Sequence, residues 1–129
     1  MTVTGSCLCG GVTFRVSGDL RPVVACHCQQ CRKTSGHYVA ASRTKNAGLE
    51  LLADATLSWF RSSDKAERGF CNRCGGNLFW RVIGSDSISI MAGMLDAPTG
   101  LKMASHIYVA DAGDYYDIND GLPAYPAGD

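Results

Sequence analysis

No stretch of this chain approaches the ~20 apolar residues that a membrane-spanning helix needs. Nor is either charge in surplus: twelve Lys and Arg stand against twelve Asp and Glu. The first absence removes a spanning helix from the expectations. The second removes the electrostatic reason to expect nucleic acid or an anionic membrane as main partner. The start, Met1-Thr2-Val3-Thr4-Gly5-Ser6, has neither the basic residues nor the apolar run of a signal peptide, so the expected compartment is the cytoplasm. Repeats, low-complexity segments and long stretches of helical period are also absent.

What remains is an ordinary globular composition, 46% apolar and 19% charged over 129 residues, read as one domain spanning 1–129. A chain of this size buries roughly 68% of its unfolded surface, enough for a real core. Short apolar or alternating runs separated by glycine turns predict strands over 10–16, 37–42, 49–52, 56–60, 78–83, 87–91 and 106–110, and 23–25 is a short apolar run leading into the cysteines. From Gln29 to Thr34 no breaker intervenes, which predicts a turn or two of helix stopped by Ser35-Gly36. The expected class is mainly β: small antiparallel sheets, little helix, with metal as a staple. Trp59, Phe60, Phe79 and Trp80 are expected in the core. The tail from Asp111 reads as an extended arm packed in part by Tyr115 and Tyr116.

Seven cysteines fall into three groups: Cys7 and Cys9 as C-x-C, Cys26, Cys28 and Cys31 within six residues, and Cys71 and Cys74 as C-x-x-C followed by Gly75-Gly76. In a reducing compartment, clustered cysteines point to metal ligation or redox work rather than disulfides. An odd count cannot pair fully within one chain. No thioredoxin-like βαβ pattern surrounds the C-x-x-C. Zinc prefers four tetrahedral ligands, and two close-spaced pairs from distant parts of a chain make one closed site. Cys7, Cys9, Cys71 and Cys74 are therefore assigned to a structural ion. Cys26, Cys28 and Cys31 then form a three-thiolate site whose open fourth position is the mark of a catalytic metal. A bland alternative stays open, in which His27, His37 or His106 closes the trio into a second structural site. Arg32 and Lys33 follow the trio directly and are candidates to hold a ligand carboxylate.

Three pieces, Gly5-Ser6-Cys7-Leu8-Cys9-Gly10-Gly11-Val12, Cys26-His27-Cys28-Gln29-Gln30-Cys31-Arg32-Lys33-Thr34-Ser35-Gly36 and Phe70-Cys71-Asn72-Arg73-Cys74-Gly75-Gly76-Asn77-Leu78, carry a resemblance. So does the ending His106-Ile107-Tyr108-Val109, Tyr116 and Asp120-Gly121-Leu122-Pro123. Together these resemble the glutathione-dependent formaldehyde-activating enzyme (GFA) family, whose domain also occurs in centromere protein V. The resemblance implies a zinc-bound β-tent, a structural zinc at Cys7, Cys9, Cys71 and Cys74, and a catalytic zinc at Cys26, Cys28 and Cys31, which an open, exposed thiolate loop is expected to hold less tightly than a closed one. It implies carbon–sulfur lyase chemistry: glutathione or another small thiol and formaldehyde or a related aldehyde form or cleave an S-hydroxyalkyl adduct.

On that expectation Arg32 or Lys33 holds a carboxylate of the thiol, and Ser35 or a backbone N–H supports the developing alkoxide. No general acid–base residue stands out. A non-catalytic, zinc-stabilised protein-binding module and a purely structural two-zinc domain are the alternatives. Monomer and homodimer both remain open.

Overall fold

A computed structural model describes residues 2–128. Ten strands and one helix follow in order: β1 (Val3–Ser6), β2 (Thr13–Val16), β3 (Val23–Cys26), α1 (Gln29–Ser35), β4 (Val39–Lys45), β5 (Leu49–Ala53), β6 (Leu57–Arg61), β7 (Ala66–Cys71), β8 (Asn77–Val82), β9 (Ser87–Met91) and β10 (Met103–Ile107). The chain is mainly β, as expected. The expectation of small antiparallel sheets needs correction. One sheet is small and antiparallel, ordered β1-β2-β5, but the other has seven strands, ordered β10-β3-β4-β9-β8-β7-β6. Its edge pair β10 and β3 runs parallel, with Ile107 opposite Cys26, so that sheet is mixed.

Period-2 alternation divides the large sheet into two faces. Ile88 and Ile90 of β9 turn to one face with Phe79 and meet Val3, Val12, Phe14 and Val16 of the small sheet, forming the main core. Phe14 and Phe79 sit at its centre, both fully buried, ring centroids 5.3 Å apart and edge to face. Ala41, Met91 and Trp80 turn to the other face, where the loop carrying Cys26, Cys28 and Cys31 covers them. The two faces separate the two jobs that follow: one is filled by packing, the other is left hollow.

Several elements depart from the sequence expectation. β1, β3 and β7 were not among the expected strands, and the last strand lies at Met103–Ile107 rather than 106–110. Tyr108 ends it by taking a left-handed backbone (φ 56°) before a 3₁₀ turn over Val109–Asp111. Phe60 is not core: it is 59% exposed on the outer strand β6. Trp59 is half-buried, stacked on Phe79 and under the Arg81 guanidinium at 3.7 Å. Among the described residues no helix is long and apolar enough to cross a membrane.

Candidate metal centres and active site

Two hairpin turns meet to build the first cluster. After β1 the chain reverses through Cys7-Leu8-Cys9-Gly10-Gly11, held by Cys7 N–H on Val12 O at 3.1 Å, with Gly10 at φ 77°. After β7 it reverses through Cys71-Asn72-Arg73-Cys74-Gly75, held by Gly75 N–H on Cys71 O at 2.8 Å, with Gly75 at φ 78°. Both glycines occupy the left-handed region that a side chain would resist. The sulfurs of Cys7, Cys9, Cys71 and Cys74 all lie within 4.8 Å of one another. Cys9 Sγ is 3.7 Å from Cys7 Sγ and 3.6 Å from Cys71 Sγ. A tetrahedral zinc with bonds of about 2.3 Å needs sulfurs roughly 3.8 Å apart, so the spacing suits such an ion.

The surroundings favour thiolates. Val12 N–H donates to Cys7 Sγ at 3.3 Å, Gly11 N–H to Cys9 Sγ at 3.4 Å, and Arg73 Nε–H to Cys9 Sγ at 3.3 Å. The Thr56 hydroxyl, 3.2 Å from Cys71 Sγ, leads the effects that push the Cys71 thiol down to about 5. Arg73 foremost, then the Gly11 N–H, lowers Cys9. Burial, by contrast, pushes the Cys7 thiol up, so a cation there has to displace its proton.

The second cluster is one loop. β3 delivers Cys26, and the chain then caps and enters α1. Cys28 is the N-cap, its sulfur accepting the Cys31 N–H at 3.4 Å, and Gly36 ends the helix in the left-handed conformation with its N–H on Arg32 O. The sulfurs of Cys26, Cys28 and Cys31 lie within 4.8 Å of one another. No histidine or carboxylate ligand atom among the described residues joins all three within that distance. Hydrogen bonds from its two neighbours, first Cys26 and then Cys31, favour the charge on Cys28, and the shared proton raises Cys26 in turn. All seven cysteines are free thiols in the structure. The donor set of both clusters, soft sulfur alone, suits zinc.

His27 does not close the trio. It is fully buried, and its ring turns away from the sulfurs. Nδ1 meets the Tyr116 hydroxyl, and Nε2 lies 2.9 Å from His106 Nδ1, whose Nε2 lies 2.8 Å from Asp120 Oδ2. A carboxylate only accepts, so with both rings neutral His106 donates to Asp120, His27 to His106, and Tyr116 to His27. Burial foremost, then His106, lowers His27, which keeps its ring neutral. His37 instead meets the Tyr115 hydroxyl at 2.6 Å. The three histidines that could have sealed the trio are thus engaged elsewhere.

A cavity of about 480 Å³ opens over the hollow face of the large sheet, and Cys26, Cys28 and Cys31 all line it. None of Cys7, Cys9, Cys71 or Cys74 does. The lining carries three arginines, Arg21, Arg43 and Arg68, against a single carboxylate residue, Asp111. In a chain of zero net charge, that local excess favours an anionic guest. Arg32, Lys33 and Ser35 do not line it. Arg32 Nε–H donates to the Asp111 carbonyl at 2.9 Å, Lys33 is exposed on α1, and the Ser35 hydroxyl donates to the Cys31 carbonyl at 2.7 Å. The cavity arginines escaped the sequence reading because they come from separate parts of the chain: Arg21 from the loop before β3, Arg43 from β4 and Arg68 from β7. Only the inward phase of Arg68, shared with buried Ala66 two residues earlier, signals one of them.

The sequence profile of the glutathione-dependent formaldehyde-activating enzymes matches residues 2–111. An uncharacterized lyase of Schizosaccharomyces pombe is 26% identical over 116 residues, covering 88% of this chain and 83% of that protein. A Halomonas elongata protein, provisionally assigned as a glutathione-dependent formaldehyde-activating enzyme, is 36% identical over 87 residues, or 61% of this chain and 55% of that one. A Rhodobacter sphaeroides protein of known crystal structure shares the fold at 19% identity, with a TM-score of 0.59 over 95% of this chain and 98% of the other.

Proposed function

Because this chain belongs to the glutathione-dependent formaldehyde-activating enzyme family, we propose that it is a carbon–sulfur lyase-type enzyme working at the Cys26, Cys28 and Cys31 trio. It joins a small thiol, glutathione first, to formaldehyde or a related aldehyde, or cleaves the resulting S-hydroxyalkyl adduct. One observation supports this over a purely structural role: the three-sulfur cluster faces the 480 Å³ cavity, and the four-sulfur cluster does not. A site meant only to brace the fold has no need of a hollow beside it.

Cys7, Cys9, Cys71 and Cys74 would hold a structural zinc, and Cys26, Cys28 and Cys31 a second zinc short of one ligand. That second ion would supply one thing, a thiol kept deprotonated at neutral pH. The chain supplies the rest. Arg21 and Arg43 draw an acidic thiol into the cavity and hold its carboxylates. Trp80, Met91 and Val39 give the cavity an apolar wall that limits water around the reacting atoms. Arg32 and Ser35 act behind the lining: one pins the Asp111 carbonyl, the other locks the end of α1 beneath Cys31. Seven free thiols suit a reducing compartment, and we place the protein in the cytoplasm, as monomer or homodimer without nucleic acid.

The test is exchange spectroscopy of glutathione and formaldehyde with the zinc-loaded protein, using Cys28→Ser as control. Adduct formation and breakdown faster than in buffer, lost in the variant, are expected. Equal rates with and without protein at saturating zinc would remove this substrate pair.

A further inference from the structure

Arg68 is a buried cation without a carboxylate. It lies on β7, 5% exposed, and lines the cavity with the trio. Its Nη2 is 3.3 Å from Gln30 Oε1 and 3.8 Å from Cys31 Sγ. Its Nε is buried with no hydrogen-bond partner, and among the described residues no carboxylate oxygen pairs with the guanidinium. The neighbouring Glu67 points to the opposite face, where it holds Arg81 at 2.7 Å. This sheet therefore contains a carboxylate next in sequence to Arg68 and spends it on another arginine.

Charge balance explains part of the arrangement. Three thiolates around a dication carry one net negative charge, and Arg68 offsets it. That leaves the orphaned Nε–H unexplained, and buried donors rarely go without an acceptor. Arg68 lines the cavity, where a guest would meet its guanidinium. An oxygen born on the carbon that a thiol attacks appears within two bonds of the sulfur, so its hydrogen-bond donor has to stand close to the sulfur cluster. Arg68 meets that condition at 3.8 Å from Cys31 Sγ. Arg32 and Lys33 lie outside the lining.

We propose that Arg68 is a catalytic residue whose guanidinium receives the anionic oxygen of the thiol–aldehyde adduct. The role rests on the thiol chemistry proposed above. In the step, the thiolate sulfur gives an electron pair to the carbonyl carbon and the C–S bond forms. The carbonyl π pair moves to oxygen, so the negative charge passes from sulfur to oxygen, where Arg68 donates hydrogen bonds. The oxygen then takes from water the equivalent of the proton that the thiol released, and no redox partner is needed. Cleavage is the reverse, with Arg68 stabilising the same alkoxide.

The test is a spectroscopic titration of cobalt(II)-loaded protein with two small thiols, thioglycolate and ethanethiol. They differ in the anionic oxygen that thioglycolate carries beside its sulfur-bearing carbon. Wild type is expected to bind thioglycolate roughly tenfold tighter. Arg68→Met, which keeps the apolar volume, is expected to retain both cobalt ions and to lose that preference, weakening thioglycolate roughly tenfold more than ethanethiol. Arg68→Lys is expected to restore part of it. Equal binding of the two thiols by wild type would overturn the proposal and leave the thiol reading intact, and that comparison needs no folded variant. Equal weakening of both thiols in Arg68→Met would also overturn it, leaving Arg68 as a counter-charge alone. If neither thiol perturbs the cobalt spectrum of wild type, the thiol reading fails and the proposal with it.

Discussion

Cys9 Sγ lies 3.6 Å from Cys71 Sγ across 62 residues of sequence. The contact ties the turn after β1 to the turn after β7, one from each sheet, where Cys7 and Cys71 belong to the main core. A metal bound there is linked to folding itself, with on the order of 10 kcal/mol at stake in structural zinc sites. Cys71→Ser should lose one ion and melt at least ~10 °C lower than wild type. Cys28→Ser should also lose one ion yet melt within a few degrees of wild type, since the trio sits in a single loop. Native mass spectrometry and calorimetry on the two variants check both halves.

Tyr116, His27, His106 and Asp120 form a hydrogen-bonded chain that fastens the C-terminal arm beneath the trio loop. Tyr116→Phe removes the donor to His27 Nδ1 and strands a buried acceptor, a loss of about 1–3 kcal/mol. Urea unfolding should show it. Amide exchange should quicken around Tyr125, whose N–H donates to His106 O, while the strands of the small sheet keep their protection.

The same arm sets a pH dependence. The hydrogen bond from His106 foremost, then the Leu122 N–H, holds the Asp120 carboxyl below its ordinary value of 3.8. A carboxyl lowered on folding stabilises the fold above its unfolded value, and that contribution is lost as pH falls through the lowered one. The stability gap between wild type and Asp120→Asn should therefore be widest at neutral pH and close below about pH 4. A gap that widened in acid would contradict the pairing. Acid loss of metal affects both proteins alike and cancels in the difference.

Gly5 packs its backbone against the central aromatic pair. A Cβ there would lie 2.4 Å from Phe14 Cζ and 2.6 Å from the Met94 carbonyl oxygen. The ring is wedged against Phe79 and the carbonyl is backbone, so neither yields cheaply. Gly5→Ala should cost about 1–3 kcal/mol in chemical denaturation, with both metals retained.

The parts of this molecule written locally were legible in its sequence. The helix over Gln29–Ser35 runs without a breaker to a glycine stop visible as a letter, while its Cys28 sulfur cap was not read from the sequence. The two pairs that form the four-sulfur cluster follow from close spacing, because each occupies one tight turn. What escaped depends on pairing at a distance. Nothing in 23–25 or 103–107 announces that β3 and β10 lie side by side and parallel. β7 hid because its inward residue Arg68 breaks the apolar alternation that marks a strand, and the same residue lines the cavity. Phe60 misled in the opposite sense: hydrophobic and on a strand, yet on an outer edge with no layer to cover it. Whether His27 closes the trio could not be read from the sequence, because Tyr116, which meets its ring, and Asp120, which meets His106, come from an arm with no strand pattern.

The account turns on one sulfur cluster being complete and the other lacking a ligand, and cadmium NMR reads that difference directly. Protein loaded with two cadmium ions should give two resonances. On addition of glutathione, one should stay fixed and the other should move toward the four-sulfur position, and Cys28→Ser should lack the mobile resonance. Two resonances both indifferent to glutathione would contradict an open site at Cys26, Cys28 and Cys31.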